Sequence, residues 1–239
     1  MYWLGLHNGR QPGHVVSVRR NQRTKQITVM HSSAVLVIGN GESRRHLDLK
    51  KYINLVTTVG CNALHRDVTV DHLICCDQRM LREALDNPKS VNSLIYVREE
   101  WYHTFRKLMK NKNIRQLPDI PYAATSRADL SRNWGSGTYA HLLASSLNYE
   151  KIYMLGFDLY GIGKNTNNVY KDSNNYAAKN SQSVDPAYWI YQSSKIFNHY
   201  PDKKFVVVNH NNWIMPDSWK WSNVEFLNVD KFTIDLFLE

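Results

Sequence analysis

The chain has 239 residues, 43% apolar and 21% charged, the balance of an ordinary globular protein rather than a fibrous, collagen-like or disordered one. At this length roughly 70% of the unfolded surface is buried on folding, so a core holds without disulfides or metal. Thirty Lys and Arg against 21 Asp and Glu leave a net charge of +9, which favours anionic partners such as nucleotides, nucleic acid or acidic glycans without choosing among them.

Residues 1–31 differ in pattern from the rest of the chain. Val15-Val16-Ser17-Val18 and Gln26-Ile27-Thr28-Val29 alternate in polarity around a basic stretch from Arg19 to Lys25. This pattern predicts a β-hairpin extension ahead of a main domain at 32–239. The hairpin is either a solvated loop or an arm that docks on an acidic surface or a larger assembly.

The main domain alternates strands and helices. Apolar runs at Ala34–Ile38, Asn54–Val59, His72–Cys76 and Ser93–Val97 read as strands, with a helix-compatible stretch after the first. Trp101–Asn111 is helical in character, and Tyr139–Leu147 is a better helix with Ser136 in capping position. Strands follow at Ile152–Leu155, Phe205–Val208 and Val224–Val229, with a helix at Ala187–His199 between the first two. Short β-branched runs separated by helices predict an α/β, Rossmann-like, mainly parallel sheet with helices on both faces. Residues 163–183 are polar and hold six asparagines together with Tyr170 and Tyr176. Lying directly after a strand-end Asp, the segment reads as an active-site lid.

Cys61, Cys75 and Cys76 sit in apolar runs without CxxC or Cys/His spacing, which reads as reduced core thiols in a cytoplasmic protein. The longest apolar run falls far short of the ~18 residues of a membrane span. The N-terminus lacks a basic segment followed by an apolar one, so no secretory signal is expected.

In parallel sheets ligands bind at the carboxyl ends of strands, so the residues there are the candidates. Gly39-Asn40-Gly41-Glu42-Ser43 lets backbone approach an anion, although it is neither a dinucleotide fingerprint nor a Walker A loop. Asn62 follows the second strand with His65 close behind, Asp77 follows the third, and Asp158 with Tyr160 follows the sixth. Gly135-Ser136-Gly137 opens a helix and forms another anion site.

The stretch Gly135-Ser-Gly-Thr-Tyr-Ala-His-Leu-Leu-Ala-Ser-Ser-Leu-Asn-Tyr-Glu-Lys-Ile-Tyr-Met-Leu-Gly-Phe-Asp-Leu-Tyr160 resembles, without a gap, a signature of bacterial lipooligosaccharide sialyltransferases. Val-Ile-Gly-Asn-Gly-Glu-Ser43 and Gly60-Cys61-Asn62 are similar to two strand-end turns of that family. A more distant resemblance is to motility accessory factors and archaeal pterin pyrophosphokinase-like proteins. The closer resemblance implies a glycosyltransferase acting on a sugar nucleotide, CMP-sialic acid in that family, without metal or separate cofactor. Asn40, Gly41 and Asn62 would then contact the nucleotide and reacting groups. Ser136 and Gly137 would face the donor sugar, Asp158 would line the site, and Tyr160 with Tyr170 would bind the leaving phosphate. The acceptor would be an anionic compound or a glycan.

That family carries a general-base histidine between lid and following helix. Here no histidine occurs between His141 and His199, and the matching position falls near Gln192. A base must take the acceptor's proton, which leaves His210, His65 and Asp77 as candidates. Two other readings stay open: a non-catalytic interaction protein that keeps the nucleotide-binding fold, alone or as a homo-oligomer, and a pterin-type pyrophosphokinase with Asp77 and Asp158 on Mg²⁺. No nucleic-acid motif occurs, and the aromatic residues are dispersed.

Overall fold

The short apolar runs of the main domain become strands, and every strand among the described residues runs the same way. The computed structural model describes residues 33–108 and 113–237, so the expected hairpin at 15–29 lies outside the described residues. In chain order the elements are β1 (Ala34–Ile38), β2 (Thr57–Cys61), β3 (His72–Cys75), α1 (Gln78–Asp86), β4 (Leu94–Val97), α2 (Glu99–Leu108), β5 (Ile114–Gln116), α3 (Ser136–Ser146), β6 (Lys151–Leu155), α4 (Ala187–His199), β7 (Lys204–Asn209), β8 (Val224–Asn228) and α5 (Val229–Phe237). The eight strands form one parallel sheet in the order β5-β4-β3-β2-β1-β6-β7-β8. Among the described residues, no helix is long and apolar enough to cross a membrane.

Side chains of a strand alternate between faces, and β1 feeds two cores in this way. Leu36 and Ile38 pack with Leu81 and Leu85 of α1, Phe105 of α2 and Phe232 of α5. Val35 and Val37 pack on the opposite face with Leu142 and Leu143 of α3 and Phe197 of α4. Since both faces are covered, all five residues of β1 are buried, which accounts for a continuous apolar run instead of an alternating one.

Several expectations need correction. The stretch after β1 forms two 3-10 turns, Glu42–Arg44 and Leu49–Lys51, rather than an α-helix. β2 starts three residues later than expected and takes in Gly60 and Cys61, because its register is set by pairing Thr58 with Leu36 and Ile38 with Gly60. The N-cap position of α3 belongs to Gly135, and Ser136 is already inside the helix. α1, α5 and the three-residue β5 were not anticipated. β5 has a single buried residue, Ile114, too little for a periodicity.

His141 of α3 is fully buried against the rings of Phe197 and Phe205, and neither ring nitrogen has a hydrogen-bond partner. Burial pushes its pKa from 6.5 down to about 3. The folded state therefore stays unprotonated while the unfolded chain takes up a proton below 6.5, so this residue removes stability as pH falls. Replacing His141 with Leu should make the loss of stability between pH 7 and pH 5 smaller by about 2 kcal/mol. Urea unfolding of both proteins at the two pH values measures this directly.

Candidate functional site

β1 and β6 are neighbours, but the chain leaves β1 toward β2 and leaves β6 toward β7. Where such connections diverge, the carboxyl ends of the strands frame a crevice. Here the two strand-end turns interlock across it. The Gly39 N–H donates to the Leu155 carbonyl at 2.7 Å, and the Gly41 N–H donates to the Gly156 carbonyl at 2.9 Å. Gly156 has φ +76°, a conformation that glycine adopts without strain. At Gly41 a Cβ would overlap the Asp158 carboxyl group.

Asp158 is 8% exposed. Its carboxylate accepts from the Ser43 amide at 2.9 Å, from the Ser43 hydroxyl and from Asn209 Nδ2 at 3.4 Å. It thus secures the glycine turn, and its bonding is spent inside the protein. Glu42, which brings a negative charge to this turn, pairs with Arg45 and with Lys171 at 2.7 Å. The Arg45 bond is the main reason that its carboxyl lies below the usual range, with burial opposing.

Above the turns lies a cleft of about 270 Å³. One wall is the start of α3, formed by Gly135, Ser136, Gly137 and Thr138, and no side chain caps this helix start. First-turn amides have no intrahelical acceptor, so this wall presents uncommitted donors at the positive end of a helix dipole. Trp189 and Ser193 of α4 form part of another wall, with Phe157, Tyr160, Asn167 and Asn168. A second cavity, about 600 Å³, adjoins the cleft and shares Asp158, Tyr160 and Asn167 with it; His210, Trp213 and Ile214 also line it.

The expected binding residues Asn40, Gly41, Asn62, Ser136, Gly137, Asp158 and Tyr160 all line this cleft. Their side chains are partly committed. The Asn40 amide donates to the Cys61 carbonyl at 3.4 Å and to the Tyr176 hydroxyl at 3.2 Å. The Ser136 hydroxyl accepts from the Cys76 amide at 2.9 Å and donates to Asn62 Oδ1 at 2.8 Å. It therefore orients Asn62, which sits at φ 50°, instead of pointing freely at a ligand. Tyr160 is 38% exposed and borders both cavities.

Three expected site residues lie elsewhere. Tyr170, within the 163–183 segment, is buried, and its hydroxyl donates to Asp67 at 2.6 Å and accepts from Arg44 at 2.9 Å. The Arg66 guanidinium also covers its ring, so ring and hydroxyl are both engaged inside the protein. His65 is 1% exposed, faces Asn87 and is held below its ordinary pKa, chiefly by burial. Asp77 caps α1 through the Arg79 amide and pairs with the Arg79 side chain at 3.2 Å. Neither lines the cleft or the adjoining cavity. Asp158 lines both cavities and Asp77 neither, so the two carboxylates of the pyrophosphokinase reading do not share a cavity among these two. Among the described residues, no group of three or more His, Cys, Asp or Glu gathers as a metal-ligand set.

Gln192 also faces away from the cleft. Its amide donates to the carbonyls of Ala128 at 2.8 Å and Asn133 at 3.2 Å. Trp189 and Ser193, both of which line the cleft, escaped sequence reasoning, as did Thr138, Asn167 and Asn168. The i, i+4 spacing of Trp189 and Ser193 was the available signal, since it puts them on one helix face.

Residues 163–183 are strapped down along the strand ends. The Val169 amide donates to the Asn40 carbonyl at 2.9 Å, Tyr176 reaches Asn40, and Arg66 holds both Ser173 and the Asn174 carbonyl. Asn167 bridges the Glu42 amide and the Tyr160 carbonyl, at 2.9 Å each.

The chain matches no protein-family model, no curated protein and no solved structure.

Substituting Ser136 with Ala should leave the Cys76 amide unpaired and free Asn62 to rotate. The expected cost is about 1–3 kcal/mol in denaturant unfolding, together with weaker binding of any ligand that Asn62 touches.

Proposed function

We propose that the protein is a sialyltransferase-like glycosyltransferase that uses a sugar nucleotide, a CMP-sugar in the first instance. The observation that carries this reading is the pair of adjoining cavities joined at Tyr160, with uncapped helix amides in one and an imidazole in the other. The donor lies in the cleft at the switch point. Its phosphate meets the amides of Ser136, Gly137 and Thr138, and the Trp189 ring offers an apolar surface to the base or the sugar.

The acceptor lies in the second cavity. His210 Nδ1 or Nε2 takes the proton from the acceptor hydroxyl while that oxygen bonds to the anomeric carbon. The bond from the anomeric carbon to phosphate breaks, and the electron pair leaves with the phosphate. The Tyr160 hydroxyl and the helix amides stabilise the charge that develops there. Partial burial raises the Tyr160 pKa, with Asp217 adding to it, so the phenol keeps the proton that it donates. In this reading the leaving group's charge is met by hydrogen-bond donors, and His210 stands in for a family base whose matching position falls near the inward-facing Gln192.

Calorimetric titration with CMP, CDP and UDP tests the donor half, and CMP is expected to bind. Transfer and donor hydrolysis, followed across pH 5 to 9, test the rest. His210→Asn should lower the transfer rate by about 10²–10⁴-fold with donor affinity unchanged. A loss smaller than about tenfold removes His210 as the base. If a folded protein binds none of the three nucleotides at millimolar concentration, the glycosyltransferase reading fails and the non-catalytic one replaces it.

A further inference from the structure

A third hollow opens on the same edge of the sheet, beyond β4 and β5. It holds about 460 Å³, its wall includes Arg98, Glu100, Gln116, Asp119 and Tyr139, and it shares no residue with the other two cavities.

Two of its polar groups are incompletely satisfied. Arg98 is half-buried and fixed by two neutral acceptors, the Ser131 carbonyl at 2.9 Å from Nη1 and the Trp134 carbonyl at 2.7 Å from Nη2. No carboxylate pairs with it among the described residues. A guanidinium taken partly out of water favours an anionic partner. Tyr139 is 3% exposed, and its hydroxyl makes no hydrogen bond among the described residues. Burial pushes that phenol's pKa up to about 12, and Arg98, Asp119 and Glu100, all on the wall of the hollow, are charged neighbours. The hydroxyl is thus a protonated donor at the hollow's surface. The chain also turns into α2 here, and the first amides of that helix add positive potential.

Glu99, Glu100 and Asp119 line the same hollow. A simple anion would meet their repulsion at close range, whereas a molecule that also carries a positive charge would not. We propose that this hollow binds a small zwitterion, with its carboxylate or phosphate on Arg98 and Tyr139 and its ammonium group toward Glu100 and Asp119. The proposal is independent of the glycosyl-transfer reading. Its site nonetheless touches the donor cleft's support, since Arg98 holds the carbonyl of Trp134, one residue before the N-cap of α3.

The test uses the full chain and ligand-observed saturation-transfer NMR with L-serine and O-phosphoethanolamine, one probe for each anionic group. Acetate and methylammonium serve as single-charge controls. At least one zwitterion should bind in the millimolar range, and each control should bind at least tenfold more weakly. Arg98→Gln should abolish binding. Because that change also frees the loop at residues 131–134, Tyr139→Phe provides the cleaner variant. It removes only a hydroxyl without a hydrogen-bond partner among the described residues and should weaken binding by about tenfold with the thermal midpoint unchanged. The proposal is overturned if neither zwitterion binds the folded wild-type chain. It also fails if acetate binds as tightly as the zwitterions, or if Tyr139→Phe leaves the affinity unaltered.

Discussion

One carboxylate ties together the two halves of the molecule. Asp158 follows β6, and the Ser43 amide and hydroxyl that it accepts from belong to the turn after β1. These are the two strand ends between which the connections diverge. The tie adds to two backbone hydrogen bonds, Gly39 to Leu155 and Gly41 to Gly156, and to the Asn167 bridge between Glu42 and Tyr160. Gly41 leaves room for the carboxyl group, and Asn209 of β7 closes the far side. The shape of the cleft follows from this arrangement, as does the partition of the neighbouring cavity, whose wall includes Asp158, Ser43 and Asn209.

A consequence is a division of labour between side chains and backbone. Asn40, Ser136 and Asp158 spend much of their bonding on one another's supports, so they define the site without being its freest ligands. What the cleft offers outward is mostly the start of α3 and the rings of Trp189 and Tyr160. Buried polar groups generally require partners, and a site of polar side chains on parallel strand ends meets that requirement largely from within. Tyr170 illustrates this. Its aromatic ring and hydroxyl serve as a bolt between Arg44, Arg66 and Asp67.

The sheet was legible because its central strands are buried on both faces, and runs such as Ala34–Ile38 and Phe205–Val208 admit few other uses. The position of the crevice was legible for the same reason, since glycine and Asn or Asp clusters punctuate those runs. The direction in which a residue points was not. Tyr170 lies in the polar segment and His65 near a strand end, yet each is turned toward a partner that only the fold supplies, Asp67 and Asn87. Gln192 and Ser193 are adjacent on α4, about 100° apart around the helix, and that rotation decides which of them meets the cleft. β5 and the two 3-10 turns after β1 were missed because such short segments carry no full period of their own.

The strand order also dictates when this architecture is completed. Five strands can pair outward from β1 as the chain is made, but the other edge of β1 has to wait for β6. Ser43 and Asp158 are 115 residues apart, and such non-local closures are slow relative to pairing between neighbours. Until β6 emerges, a fully apolar strand keeps a row of unpaired amides and carbonyls on its open side, an arrangement prone to pairing with other chains. Nascent protein halted before residue 151 is therefore the form in greatest need of a chaperone.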